Sequence, residues 1–413
     1  MIGVGSPNPA DPGRAEFRGV AGGRTGWLAL HLDRIDMSHD RPYWIALHAV
    51  PGMGPVTFAR LLHEFGTAQG AWQEGERLLA HLTRPAPHTQ VVLRRLLAEG
   101  AESVARRASR LTMAGGGRIV TAADADYPRA LSVLDPRPAV LYAVGDLTAL
   151  DEICVAIVGT RRASGYGRST AAQLADELGR AGAVVVSGLA LGIDGEAHRA
   201  AVEAGGRSVA VLPSTLSRIY PPRHRELAAR LVATGGALLT EIGPGQPVGR
   251  PDFARRNRII AGLSSAIVIV EAPSRSGALL TANAAIGYGG RELYAVPGPI
   301  DSIGSEGPNR LIADHQATLI TSPGALLHQV GLKRPVGPIS VATLSESEGL
   351  VLGTLLRRSA SLEELIGPTH LSPGALAGTL TMLEARGLVA SYGGVTFHPT
   401  LAARRIGSTV TGA

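Results

Sequence analysis

The chain has 413 residues and carries 40 Lys and Arg against 34 Asp and Glu, a formal net charge of +6, with 45% hydrophobic but only 4% aromatic residues. That length predicts two or three domains around aliphatic cores of Val, Ile, Leu and Ala. No apolar run approaches the roughly 20 residues that span a bilayer, no basic segment followed by an apolar one opens the chain, and the single cysteine, Cys154, excludes a disulfide framework and a cysteine zinc site, so a cytoplasmic protein is expected.

Arginine supplies nearly all the positive charge, Lys333 being the only lysine. A genome rich in arginine codons would produce the same balance. Guanidinium forks also suit phosphates and stack on bases, which keeps nucleic acid open as a partner.

Residues 1–36 are rich in Gly, Pro and Arg without helical or strand periodicity, and are expected to form a disordered extension, the folded part beginning near Met37. Residues 37–105 read as a helical domain of helix-hairpin-helix or SAM-like type. Its "PGMGP" (51–55) fits a hairpin whose glycines let backbone N–H groups approach a phosphate, and equally a plain turn between packed helices. Over 106–328, short aliphatic runs alternate with helical segments: "VAIVG", "AVVVSG", "SVAVL", "GALLTE", "AIVIVEA" and "ELYAVPG". Nearly continuous apolar strands are buried on both faces, so this is an α/β domain with a doubly wound, mainly parallel sheet. A linker with Pro and Gly (329–344) leads to a segment, 345–400, of three helices and a short hairpin, "GLVASYGGVTFHP", which suggests a winged-helix-like domain; 401–413 is a tail.

In open α/β sheets, ligands bind at the carboxyl ends of the strands. Two glycine-rich turns fall there, "VAIVGTRRASGYGRST" and "VVVSGLALGIDGEAH". Neither is G-x-G-x-x-G, and the strand "VVVSG" ends in serine where a nicotinamide dinucleotide site would place an acid. Both turns still offer N–H groups and helix N-termini to an anion.

"FARRNRIIAGLS" (253–264) is the sharper signal. A helix starting near Ala254 would put Arg256, Ile259, Ile260 and Leu263 on one stripe, with Arg255 and Arg258 sharing another face. Three arginines would then crowd the first turns, where the macrodipole disfavours cations. Asp252 alone cannot match three arginines, so a phosphate is expected there. Phe253 would either stack a base or join the core.

Catalytic signals are thin: there is no H-E-x-x-H, no G-x-S-x-G and no P-loop. Glu241 and Glu271 end strands on the ligand-bearing edge and could pair around a metal, though nucleases usually offer more carboxylates. Asp194 and His198 could serve acid–base work, or cap a helix and hold a loop.

Taken together, "VAIVGTRRAS.YGR", "VVVSGLA.GID..AH", "VAVL...L.R.YPP.H", "RRNRIIAGLS" with "VIVEA", and "SGALLTA..A" with "AVPG" and "NRLI.D" resemble the DNA-processing protein A family (DprA, also called Smf). The resemblance implies an extended Rossmann-like domain that binds single-stranded DNA and forms a homodimer, protects incoming DNA in natural transformation, and promotes loading of the RecA recombinase. It implies no catalysis, cofactor or metal. Carried over residue by residue, it assigns DNA binding to Gly159, Thr160, Arg161, Arg162, Ser187, Gly188, Phe253, Arg255, Arg256, Asn257 and Arg258. This chain departs from the family pattern at Leu191, Ala278 and His315, the last standing where a glycine is usual. The alternative is a phosphoribohydrolase-like nucleotide-processing enzyme on a related fold, but "EAPSRSGALLTANAA" lacks the "PGGxGTxxE" signature such enzymes carry.

Overall fold

The computed structural model describes residues 37–82, 85–288, 290–332, 344–385, 388–392, 396–400 and 403. The expected extension (1–36), nearly all of the tail and most of the linker lie outside the described residues.

The helical region comprises α1 (Met37–His48), α2 (Pro55–Phe65), the short α3 (Ala68–Gln73) and α4 (Leu78–His81), α5 (Thr89–Glu99) and α6 (Ala101–Met113). Between α1 and α2 the chain turns at Gly52, φ +86°, and Pro55 opens α2, where its missing N–H removes no helical bond. The Asp40 carboxylate accepts hydrogen bonds from Trp44 Nε1 (2.9 Å) and from the backbone N–H groups of Ala68 (3.0 Å) and Gln69 (2.7 Å), tying α1 to the start of α3. Helix α6 runs through position 105, where a domain boundary was expected, and Trp44, Leu47 and Phe58 belong to the same apolar core as Val120 and Leu141 of the sheet.

The α/β part consists of β1 (Gly117–Thr121), β2 (Val140–Gly145), β3 (Cys154–Val158), α7 (Gly165–Arg180), β4 (Val184–Ser187), α8 (Ile193–Glu203), β5 (Ser208–Val211), α9 (Arg225–Ala233), β6 (Ala237–Thr240), α10 (Arg250–Leu263), β7 (Ala266–Ile269), α11 (Ala278–Tyr288), β8 (Glu292–Ala295), α12 (Glu306–Ala313), β9 (Thr318–Leu319) and α13 (Pro323–Gln329). All six apolar runs are strands. The sheet order is β1-β2-β6-β5-β4-β3-β7-β8-β9; β6 through β9 are parallel, and β1 and β2 add an antiparallel edge. Every residue of β3 to β7 is buried, because α7, α8, α9 and α13 cover one face while α10, α11 and the helical region cover the other. The chain winds from β3 through β4 to β6 on one side and resumes at β7 on the other. This reversal opens a crevice at the carboxyl ends of β3, β4 and β7.

The C-terminal unit has its own core: α14 (Glu346–Arg357), α15 (Leu362–Thr369) and α16 (Pro373–Ala385) pack on an antiparallel sheet ordered β10 (Ala360–Ser361), β12 (Thr396–Pro399), β11 (Val389–Tyr392). The expected hairpin is β11–β12, and β10 makes it three-stranded. Among the described residues no helix is long and apolar enough to cross a membrane.

Candidate nucleic-acid interface

The two glycine turns are held together by one buried carboxylate. Asp194, in the first turn of α8 and 5% exposed, accepts hydrogen bonds from the backbone N–H groups of Gly159, Gly188 and Ala190. Burial pushes its carboxyl above the ordinary range, and the Arg256 guanidinium and these bonds pull it back. His198 follows one helical turn later. Its Nε2 accepts from Leu189 N (3.3 Å) and its Nδ1 meets Ser208 Oγ (2.7 Å); burial lowers its pKa to about 3 and keeps the ring neutral. Asp194 and His198 thus hold the loop in place. Leu189, at φ +55°, is a strained point in that loop, braced by His198 and by His224 Nδ1 against its carbonyl (2.9 Å).

Close packing requires glycine at 159, whereas a side chain at 188 would have to displace a guanidinium. A β-carbon on Gly159 would fall 2.5 Å from Ile193 Cγ1, and one on Gly188 would fall 1.8 Å from Arg256 Nη1. Ser187 does not face the crevice: it is fully buried and its hydroxyl donates to the Ile157 carbonyl (2.6 Å), so the expected DNA contact through its side chain is not available.

The arginine cluster differs from expectation in two ways. Helix α10 starts at Arg250, not near Ala254. Gly249 precedes it, Pro251 occupies its first turn, and Asp252 Oδ2 accepts the Gly249 N–H (2.7 Å). The arginines therefore sit in the second and third turns. Each also has a protein partner. Arg255 Nη1 lies 3.3 Å from Asp252 Oδ1. Arg256, 6% exposed, donates to the Val211 carbonyl (2.6 Å) and to Asn257 Oδ1 (3.1 Å), and burial lowers its pKa to about 10. Arg258 Nη2 bonds Glu241 Oε1 (2.5 Å) and its Nη1 the Pro136 carbonyl (3.0 Å). The missing counter-charge was Glu241, at the end of β6. Asn257 donates to the Gly277 carbonyl (3.0 Å), pinning α10 to the start of α11.

What the crevice presents is a groove of about 490 Å³ between the first glycine turn, α10 and the 273–281 segment. Four exposed arginines line it: Arg161, Arg162, Arg250 and Arg275. None of the four forms an ion pair among the described residues. Arg250 and Arg275 carried no motif that marked them in advance. Phe253, half-buried, lies beneath Arg161, whose Cζ is 5.0 Å from the ring centroid, and meets the exposed Tyr220 edge to face at 5.7 Å. Tyr220 stands in "YPPRH", and only tertiary folding places it beside Phe253. Such a surface has cations for phosphates and π-faces for bases.

The carboxylates considered for metal are both engaged. Ser164, which caps α7, donates its N–H (2.9 Å) and Oγ (2.5 Å) to Glu271, and Glu241 serves Arg258. Among the described residues no group of three or more His, Cys, Asp or Glu could hold a metal.

Comparison with known proteins gives a match of residues 118–331 to the model of the family described as DNA recombination-mediator protein A. The chain belongs to that family. The Escherichia coli protein Smf is 44% identical over 204 residues, a stretch covering 49% of this chain and 54% of that protein. A Mycobacterium tuberculosis relative named as a DNA processing protein DprA is 39% identical over 301 residues, 67% of this chain and 76% of its own length. The DprA crystal structure from Streptococcus pneumoniae superposes with a TM-score of 0.57 at 28% identity, covering 70% of this chain and 96% of that one. The family match runs from β1 to just beyond α13 and contains the whole groove.

Proposed function

We propose that this member of the recombination-mediator family binds single-stranded DNA in the groove, without catalysis, and acts as a homodimer that protects the strand and hands it to RecA. The observation that supports this reading best is the set of four arginines, Arg161, Arg162, Arg250 and Arg275, without an ion pair among the described residues, around the Arg161–Phe253–Tyr220 cluster. Phosphates run along the arginines and a base lies on the aromatic pair, while the Thr160 N–H at the floor is held by the Glu271 carbonyl (2.7 Å). Gly159, Gly188, Arg256 and Asn257 shape the wall from behind, and Arg255 stands at the edge of α10. Protection and RecA loading rest on family membership.

Fluorescence anisotropy with a labelled oligonucleotide, single-stranded or duplex, tests the reading. The single strand is expected to bind more tightly, with log affinity falling against log salt at about −0.7 per phosphate neutralised. Equal affinity for the two forms, or indifference to salt, refutes it. Hydrolysis of nucleoside monophosphates by the purified protein, lost in Glu271→Gln, would instead favour the phosphoribohydrolase reading.

A further inference from the structure

The stretch 213–224 runs from β5 to α9 and ends in "YPPRH" (220–224), of which the groove uses only Tyr220. Its Leu216 and Ile219 pack on the apolar cluster that includes Leu227 and Leu231 of α9. Apart from the helical bonds that open α9, a single hydrogen bond leaves the stretch among the described residues: His224 Nδ1 meets the Leu189 carbonyl at 2.9 Å. The bonds from Arg218 N to Thr215 and from His224 N to Pro221 stay inside it. A carbonyl can only accept, so Nδ1 of His224 carries the proton.

The structure makes room for this imidazole, which is 7% exposed. Gly195 lies in the first turn of α8, and a β-carbon there would fall 2.6 Å from His224 Cε1. The carbonyl that the ring holds belongs to the strained residue of the second glycine turn, whose N–H is already held by His198. The anchor point is therefore fixed from both sides.

Four residues before His224, the Tyr220 ring is 46% exposed and its hydroxyl has no hydrogen-bond partner among the described residues. A cleft of about 40 Å³ lies between Tyr220 and Pro221 on one side and Gly188, Ala190 and Leu191 of the turn on the other, with Phe253 also lining it. Packing against the turn thus does not wedge the tyrosine in place. Its edge-to-face contact with Phe253, at 5.7 Å, depends on where the tether holds the stretch. We infer that His224 is a positioning residue for base binding: by tying "YPPRH" to the second glycine turn it sets Tyr220 against Phe253 as the platform on which a base lies. His224 touches no DNA itself, and the contribution of the groove arginines to phosphate binding does not pass through it. This inference rests on the single-strand reading proposed above.

The test uses the full chain. His224→Leu keeps the bulk and loses the donor, whereas His224→Asn puts an amide N–H where that of Nδ1 stood. Gly195→Ala reaches the same bond independently, since its methyl group would push the imidazole off the Leu189 carbonyl. Each protein is melted to confirm folding, then titrated with a single-stranded oligonucleotide and with an equally long strand of abasic sites. Wild type is expected to bind the base-bearing strand more tightly. His224→Leu and Gly195→Ala should each lose about fivefold on that strand, the lower end of what one stacked base contributes, and nothing on the abasic strand. His224→Asn should keep the wild-type preference, and in a Tyr220→Ala background His224→Leu should cost nothing more. Unaltered binding by His224→Leu, equal weakening toward both strands, a further loss on top of Tyr220→Ala, or no rescue by His224→Asn overturns the inference. If neither His224→Leu nor Gly195→Ala folds, the bond serves the fold as a whole and the inference falls as well. In all these cases wild type still binds the single strand, and the proposed function stands. Wild type that binds the two strands equally removes the base platform itself, and wild type that binds neither overturns both readings together.

Discussion

Replacing Arg258 with alanine should unfold this protein more readily rather than merely loosen its hold on DNA. The Arg258 and Glu241 side chains are 14% and 8% exposed, and among the described residues the guanidinium is the only side chain that bonds that carboxylate. Alanine leaves an ionised carboxylate in the core with both oxygens unpartnered and frees the Pro136 carbonyl as well. Breaking a buried pair from one side costs about 3–5 kcal/mol. At roughly 2–4 °C per kcal/mol for a domain of this size, the melting temperature should fall by about 6–20 °C. The loss should depend on pH. Burial already raises the Glu241 carboxyl above its ordinary value, and without Arg258 it rises further. A raised carboxyl binds its proton more tightly in the folded state, so the variant suffers least at acidic pH and most once pH exceeds the folded pKa. Denaturant melts of wild type, Arg258→Ala and the double variant Arg258→Leu/Glu241→Leu, at pH 5 and pH 8, measure this, and the double variant should recover most of the loss. An Arg258→Ala protein with an unchanged melt and greatly weakened DNA binding would refute the reasoning and return Arg258 to the DNA.

Arg161→Ala should weaken single-strand binding several-fold without moving the melting temperature, because the side chain is exposed and stacks on Phe253; Arg357→Ala, in α14, should do neither, as paired anisotropy and melting experiments would show. His315→Gly should raise the melting temperature by about 2–4 °C, since His315 lies two residues beyond α12 at φ +54°, where glycine avoids a strain of about 1 kcal/mol. Acid should destabilise the fold through His48 and His198, whose pKa values burial lowers to about 4 and about 3. Their contribution is complete above the unfolded histidine value near 6.5 and is lost as pH falls toward the folded values, each adding a slope of about 1.4 kcal/mol per pH unit, visible in urea melts between pH 7 and pH 4.

The parallel strands were legible because each is an unbroken aliphatic run, and burial on both faces leaves no other reading of "AIVIV" or "VVVS". The antiparallel edge was not, since "GRIVT" and "VLYAVG" carry no sign of which neighbour they pair with. The departure at His315 proved mild, as the turn keeps the left-handed backbone without glycine. Local pattern failed at the arginine cluster. The residue that balances Arg258 lies 17 positions away, just past the end of β6, and the one that faces Arg256 belongs to a different helix. A one-dimensional count of neighbouring acids saw only Asp252. The same blindness hid Tyr220, Arg250 and Arg275, which become members of one surface only after the sheet has reversed direction.

The contact between Gly188 and Arg256 also constrains how this sequence can change. Because the guanidinium occupies the volume a side chain at 188 would need, neither position has an independent history open to it. An alanine at 188 would have to push the Arg256 guanidinium aside, and with it the bond to the Val211 carbonyl. Shortening 256 first removes the donor to the Val211 carbonyl and the cation beside Asp194, loosening the carboxylate that gathers both glycine turns. Either order passes through a damaged intermediate, so the two residues should drift as a locked pair, and a double-mutant cycle between them should be strongly non-additive.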